Sequence, residues 1–126
     1  MTHKPNRVLV VDDDRQARLK MARNLESEGY VVSSAEGGRQ ALDMLESESF
    51  DLIILDILMP EVDGFAVLSE VKANPALRET PVVMISAVDD AESMEKCRQM
   101  GALEYLIKPV SAEDLSACVS GVLAAK

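Results

Sequence analysis

Aspartates carry the densest chemistry in this sequence. Asp12 and Asp13 follow the apolar run Val8-Leu9-Val10-Val11, and Asp56 follows Leu52-Ile53-Ile54-Leu55. Ser86 follows Val82-Val83-Met84-Ile85, and Lys108 follows Tyr105-Leu106-Ile107. Three carboxylates gathered in one place repel one another, and a cation among them turns that cost into a gain. Oxygen-only ligands favour a hard divalent ion, Mg2+ first, which keeps several waters and takes one or two carboxylates plus a phosphate oxygen. A lysine ammonium and a serine hydroxyl suit the phosphoryl oxygens that face away from the metal. An aspartate can itself be the nucleophile of phosphoryl transfer, leaving positioning and charge neutralisation as the main catalytic work. Asp56 is the best candidate, being central and followed by the turn Met59-Pro60-Glu61-Val62-Asp63-Gly64. Asp14 reads instead as a helix cap.

For these groups to meet, the runs that precede them must lie side by side. Val8–Val11, Leu52–Leu55 and Val82–Ile85 are continuous rather than alternating, as in parallel strands covered by helices on both faces. Tyr30-Val31-Val32, ahead of Ser33-Ser34, and Tyr105-Leu106-Ile107 are shorter or flanked by polar residues, as sheet edges are. Helical spacing fills the gaps. Asp14 caps Ala17, Met21 and Leu25, stopped by Gly29; Ala41, Leu42 and Leu45 follow a turn at Gly37-Gly38. Phe65, Leu68 and Val71 run up to Asn74-Pro75; Met94 and Cys97 precede Gly101; Leu115, Val119 and Val122 follow Ser111 as cap. Five strand–helix units predict an α/β fold, a doubly wound five-stranded parallel sheet with right-handed crossovers. With the weak runs outermost, the strand order 2-1-3-4-5 fits, and its ligand crevice lies between the first and third strands.

Composition sets the outer bounds. At 126 residues, 48% hydrophobic and 28% charged, the chain fits one globular domain, read as 1–126 with an ordered core of about 6–124. A net charge of −9 without a basic block disfavours nucleic acid and anionic membranes as partners. Cys97 and Cys118 lack metal-ligand or CxxC spacing, and no stretch is apolar for long enough to be a leader or a membrane span, so a cytoplasmic setting is expected. Met84, Met94 and Met100 read as core filler. His3, near the terminus, is a poor candidate for phosphorylation.

Taken together, Val10-Val11-Asp12-Asp13, Leu55-Asp56 with Met59-Pro60 and Asp63-Gly64, Ser86-Ala87 and Lys108-Pro109 resemble the response regulator receiver domain of two-component signalling. The match spans essentially the whole chain in the family's order and spacing. It implies the flavodoxin-like (βα)5 fold, whose 2-1-3-4-5 order is also the family's own. By resemblance, Asp56 accepts a phosphoryl group from a sensor histidine kinase or a histidine phosphotransfer protein. Asp13 would bind Mg2+ directly, Asp12 through water, and Asp56 and the Leu58 backbone carbonyl would be further ligands; Mn2+ could substitute. Ser86, with the small Ala87 beside it, and Lys108 would hold phosphoryl oxygens, Lys108-Pro109 would be cis, and Tyr105 would be the aromatic switch. Signal would leave by the fourth helix, fifth strand and fifth helix, a face that also allows a dimer, toward an unknown output partner or C-terminal domain. The protein would assist its own phosphorylation without being a turnover enzyme. Two departures stand out: Val110 replaces the Phe that often follows Lys-Pro, and Leu58 and Val88, which flank the acceptor and bear on phosphate lifetime, are both apolar.

Three rival readings share parts of this pattern. A phosphatase of the haloacid dehalogenase type needs a second Asp two residues after the nucleophile, where Leu58 stands. A nucleotide or flavin binder wants a Gly or Ser/Thr loop after the first strand, where three aspartates would repel phosphate. A degenerate receiver, used only for protein contacts, would not keep the full set. The chain ends shortly after the fifth helix, consistent with a single-domain regulator or a piece of a longer one.

Overall fold

The computed structural model describes residues 4–125, so His3 lies outside the described residues. Five strands alternate with five helices: β1 (Arg7–Val11), α1 (Arg15–Glu26), β2 (Val31–Ala35), α2 (Gly38–Ser47), β3 (Leu52–Asp56), α3 (Gly64–Ala73), β4 (Val82–Ser86), α4 (Ala91–Gln99), β5 (Glu104–Ile107) and α5 (Ala112–Ala124). All strand pairs are parallel, in the order β2-β1-β3-β4-β5. Every residue of β3 and β4 is buried, whereas β2 and β5 each have exposed positions. β2 continues through Ser33 and Ser34, which an outermost strand tolerates because one side of its ladder meets water.

Alternate residues of each central strand feed two cores. Leu9, Val11, Ile53, Leu55, Val82 and Met84 pack with residues of α2, α3 and α4. Val8, Val10, Leu52, Ile54, Val83 and Ile85 pack with Met21 and Leu25 of α1 and Leu115, Val119 and Val122 of α5. This two-residue alternation, with helices on both faces, explains why the runs read as unbroken apolar sequence. The helix starts are capped as their sequences suggest: Asp14 accepts from the Gln16 and Ala17 amides, and Ser111 accepts from the Asp114 amide. Gly29 and Gly101 take φ of 94° and 102°, the left-handed conformation that ends a helix without a Cβ clash.

The methionines divide. Met84 is fully buried and Met100 packs against the first core, but Met94 is only half-buried. Its side chain helps line a groove of about 350 Å³ between α4 and β5, together with Ala91, Cys97, Ala102, Leu103 and Tyr105. The α4 buried face is narrow, with Cys97 its one fully buried residue, so the Met94 position falls at the margin rather than in the core.

Candidate phosphoacceptor site

Register places the polar groups. Val11 pairs with Leu55, so Asp12 lies one residue past the end of β1, level with Asp56. Asp56 pairs with Ile85 and Ser86 pairs with Ile107, which sets Ser86 one step and Lys108 two steps farther out along the same edge. Asp12 and Asp56 extend the alternation of Val10 and Ile54 toward the α1–α5 face. Ser86 extends that of Val82 and Met84 toward the face where Tyr105 packs. The site thus straddles the sheet edge, with carboxylates on one side and the hydroxyl on the other.

Asp12 is fully buried and Asp56 is 3% exposed, while Asp13 is exposed. One carboxylate oxygen from each lies within 4.8 Å of the others, close enough for a single ion to touch all three. Lys108 Nζ sits 2.8 Å from Asp12 Oδ2 and 3.1 Å from Asp56 Oδ2, and hydrogen-bonds the latter. Asp12 Oδ2 is buried, and although it is at ion-pair distance from the ammonium it receives no aligned hydrogen bond. Its other oxygen accepts from the Asp14 amide at 2.9 Å. A buried carboxylate oxygen with spare acceptor capacity, beside two more carboxylates, is a donor set that fits a hard divalent cation.

Electrostatics agree with that fit. Burial, reinforced by the neighbouring Asp12 charge, pushes the Asp56 carboxyl up to about 6 against the opposing pull of Lys108. Burial lowers the Lys108 ammonium, but its contacts with Asp12 and Asp56 outweigh this, and its pKa is raised. One ammonium does not neutralise three carboxylates, so the cluster carries surplus negative charge at neutral pH.

The remaining candidates sit around this centre. The Ser86 hydroxyl is buried and accepts the Val88 amide at 3.1 Å, and the Val88 carbonyl in turn accepts the Tyr105 hydroxyl at 2.6 Å. Ala87 is exposed beside the site and Val88 is half-buried. Leu58 is 58% exposed, standing up from the loop after β3. The Lys108–Pro109 peptide is cis, and the Lys108 amide donates to the Ser86 carbonyl at 2.8 Å, which anchors the lysine to β4.

Two residues matter more than their sequence positions suggest. At Gly64 an added Cβ would come within 2.3 Å of the Asp56 carbonyl oxygen and 2.7 Å of the Ile57 Cα, so only glycine lets α3 begin against the end of β3. Its amide donates to the Ile57 carbonyl at 2.8 Å. Arg18 on α1 is 7% exposed, and its Nη1 donates to the Asp12 carbonyl at 2.9 Å. Sequence reading passed over Arg18, although it is in step with Ala22 and Leu25 on the buried side of α1, where a charge is anomalous.

Comparison with known proteins gives this arrangement its class. Residues 8–120 match the model of the response regulator receiver domain. The chain belongs to that family, whose members are the receiver modules of two-component response regulators. It is 41% identical over 125 residues to the transcriptional regulatory protein ZraR of Escherichia coli strain K12, covering 98% of this chain and 28% of that protein. It is 36% identical to the response regulator MprA of Mycolicibacterium vanbaalenii, covering 94% of this chain and 51% of that one. The chain therefore spans from about a quarter to about half the length of these relatives. Among solved structures, the chemotaxis protein CheY4 of Vibrio cholerae superposes with a TM-score of 0.91 at 32% identity, covering 95% of this chain and all of that one. No helix among the described residues is long and apolar enough to cross a membrane.

Proposed function

We propose that this domain is a phosphoacceptor in a two-component phosphorelay, taking a phosphoryl group onto Asp56 from a phosphohistidine of a sensor kinase or phosphotransfer protein. The carrying observation is the Asp12, Asp13 and Asp56 cluster, with the Asp56 carboxylate held 3.1 Å from Lys108 at the end of the central strand. In the transfer the Asp56 oxygen forms a bond to phosphorus, the N–P bond breaks, and the electron pair returns to the donor imidazole. Asp12 and Asp13, with the Leu58 backbone carbonyl, would hold Mg2+, which supplies charge neutralisation for the oxygens of the transferring group. Lys108 is already within reach of Asp56 and supplies a second positive charge. Ser86 is the hydroxyl available to a phosphoryl oxygen.

A change at Ser86 has a physical route outward. The hydroxyl that would turn to the phosphoryl group now accepts the Val88 amide, and Val88 also holds Tyr105. Turning Ser86 releases that amide, so the loop after β4 and the tyrosine have two arrangements between which phosphorylation chooses. The α4–β5 groove adjoins Tyr105, and Leu103 stands 57% exposed at its rim, which supports α4, β5 and α5 as the face read by an output domain, a partner or a second copy. The module is a switch rather than a turnover catalyst.

Incubation with a small acyl phosphate and Mg2+, followed by intact-mass measurement, should show one added phosphoryl group. The Asp56→Asn variant should show none, and unchanged labelling of that variant would place the acceptor elsewhere.

A further inference from the structure

We infer that Arg18 is a positioning residue for the cation-binding carboxylates, acting through the Asp12 backbone. This rests on the phosphoacceptor reading and adds to it a residue outside the acidic cluster. β1 ends at Val11, and the Asp12 amide carries the β1–β2 ladder one step further by donating to the Ala35 carbonyl at 3.2 Å. Among the described residues no backbone amide donates to the Asp12 carbonyl. The carbonyl of the fully buried Asp12 is met instead by Arg18 Nη1 at 2.9 Å, reaching back from the second turn of α1. A buried carbonyl needs a donor, so this one bond fixes the peptide that joins Asp12 to Asp13.

The charge of Arg18 is placed for the same task. The Arg18 side chain is 9% exposed, and its carboxylate partner is Glu36, at 3.6 Å, whose side chain is 77% exposed. An ion pair that long, with so exposed an acid, does little to neutralise a buried cation. The residue whose carbonyl Arg18 holds is itself a member of the acidic cluster, and Lys108 meets the side chain of that same Asp12 at 2.8 Å, so the two cations engage Asp12 at different groups. Lys108 would be drawn to a phosphoryl oxygen; Arg18, tied to backbone, has no such second engagement and stays.

Removing the guanidinium should free the Asp12–Asp13 peptide to turn toward water and carry both carboxylates with it. Partners that orient metal ligands typically change metal affinity by roughly ten- to a hundred-fold. Calorimetric titration of Mg2+ into Arg18→Met should give a dissociation constant at least roughly tenfold weaker than wild type. Arg18→Lys, which restores a cationic donor, should recover most of the affinity, and Glu36→Gln should leave it unchanged. Without metal, the Asp14 amide resonance, which reports its bond to Asp12, should shift in Arg18→Met and not in Glu36→Gln.

If Arg18→Met melts earlier yet binds Mg2+ as the wild type does, Arg18 is a stability residue only and the proposal is overturned. Should that variant not fold, Arg18→Leu, which also lacks a donor, is titrated in its place, and a wild-type constant there has the same consequence. A wild type that takes up no Mg2+ at all sinks the phosphoacceptor reading and this inference with it. Wild-type binding with unaltered binding in the variants sinks this inference alone.

Discussion

Asp56 stores the electrostatic tension of the metal-free site, because its carboxyl is held near 6 by burial and by Asp12. An unfolded-chain aspartate titrates near 4, so between about pH 4 and 6 the folded state keeps a proton that the unfolded state has lost. Stability from this group is therefore present at low pH and lost as pH rises through 6, at a cost of order 2–3 kcal/mol by neutrality. In EDTA, the melting-temperature advantage of Asp56→Asn over wild type should grow from pH 4.5 to pH 7, and Mg2+ should narrow it by stabilising the wild type by roughly 1.4 kcal/mol at ten times the dissociation constant. An advantage independent of pH would show that the carboxylate is not strained. Leu58 and Val88 bear on a different residue-level property. Both are apolar, so neither can orient an attacking water, and slow self-dephosphorylation is expected. Decay in excess Mg2+ should be faster in the Leu58→Asn, Val88→Glu double variant; equal or slower decay would mean that these positions do not govern water. At this scale Asp12, Asp56, Ser86 and Lys108 were legible because each is a polar residue directly after an apolar run, and Asp13 because it follows Asp12. Arg18 was not, because one arginine in a helix with four other charged residues reads as solvated until its phase against Ala22 and Leu25 is counted.

Strands and helices were legible for a simple reason: burial on both faces writes β1, β3 and β4 as uninterrupted apolar runs rich in Val and Ile, and tertiary and local preferences agree. Two outer elements were harder. β2 carries Ser33 and Ser34 inside the strand, and α4 buries so little that Met94 could be assigned to the core or the groove. What spacing could not convey was close approach, as at the β3–α3 loop, where Gly64 touches acceptor backbone that lies eight residues earlier in the chain. Gly64→Ala should cost about 1–3 kcal/mol by overpacking and should slow phosphorylation by displacing Asp56. Gly121, inside α5 with nothing near the position of an added Cβ, provides the contrast: Gly121→Ala should stabilise by roughly 0.5–1 kcal/mol. Urea midpoints of the two variants shifting in the same direction would contradict this account of the loop.

Across the whole molecule, the acidic site lies at one end of the sheet and the exposed α4–β5 groove along one flank, so the proposed input and the proposed readout share an edge but not a surface. The relatives that extend well beyond this domain include proteins described as transcriptional regulators, which suits a flank left free for an attached or separate output. The sheet itself is unequal from centre to side. β3 and β4 are buried throughout, while β5 pairs on one side only and exposes Glu104 and Ile107. Opening free energy follows burial, so β3 amides should exchange with deuterium only through global unfolding, and β5 and α4 amides through cheaper local opening. A beryllofluoride mimic of the phosphoryl group should then slow exchange chiefly in the loop after β4, in α4 and in β5, with β3 unmoved; protection confined to the strand ends would argue against the route through Val88. On the phosphoacceptor reading, the domain fixes its acceptor in the least compliant strand and places its reporter in one of the most compliant, so that a local charge event would be absorbed as motion on the side where motion can be sensed.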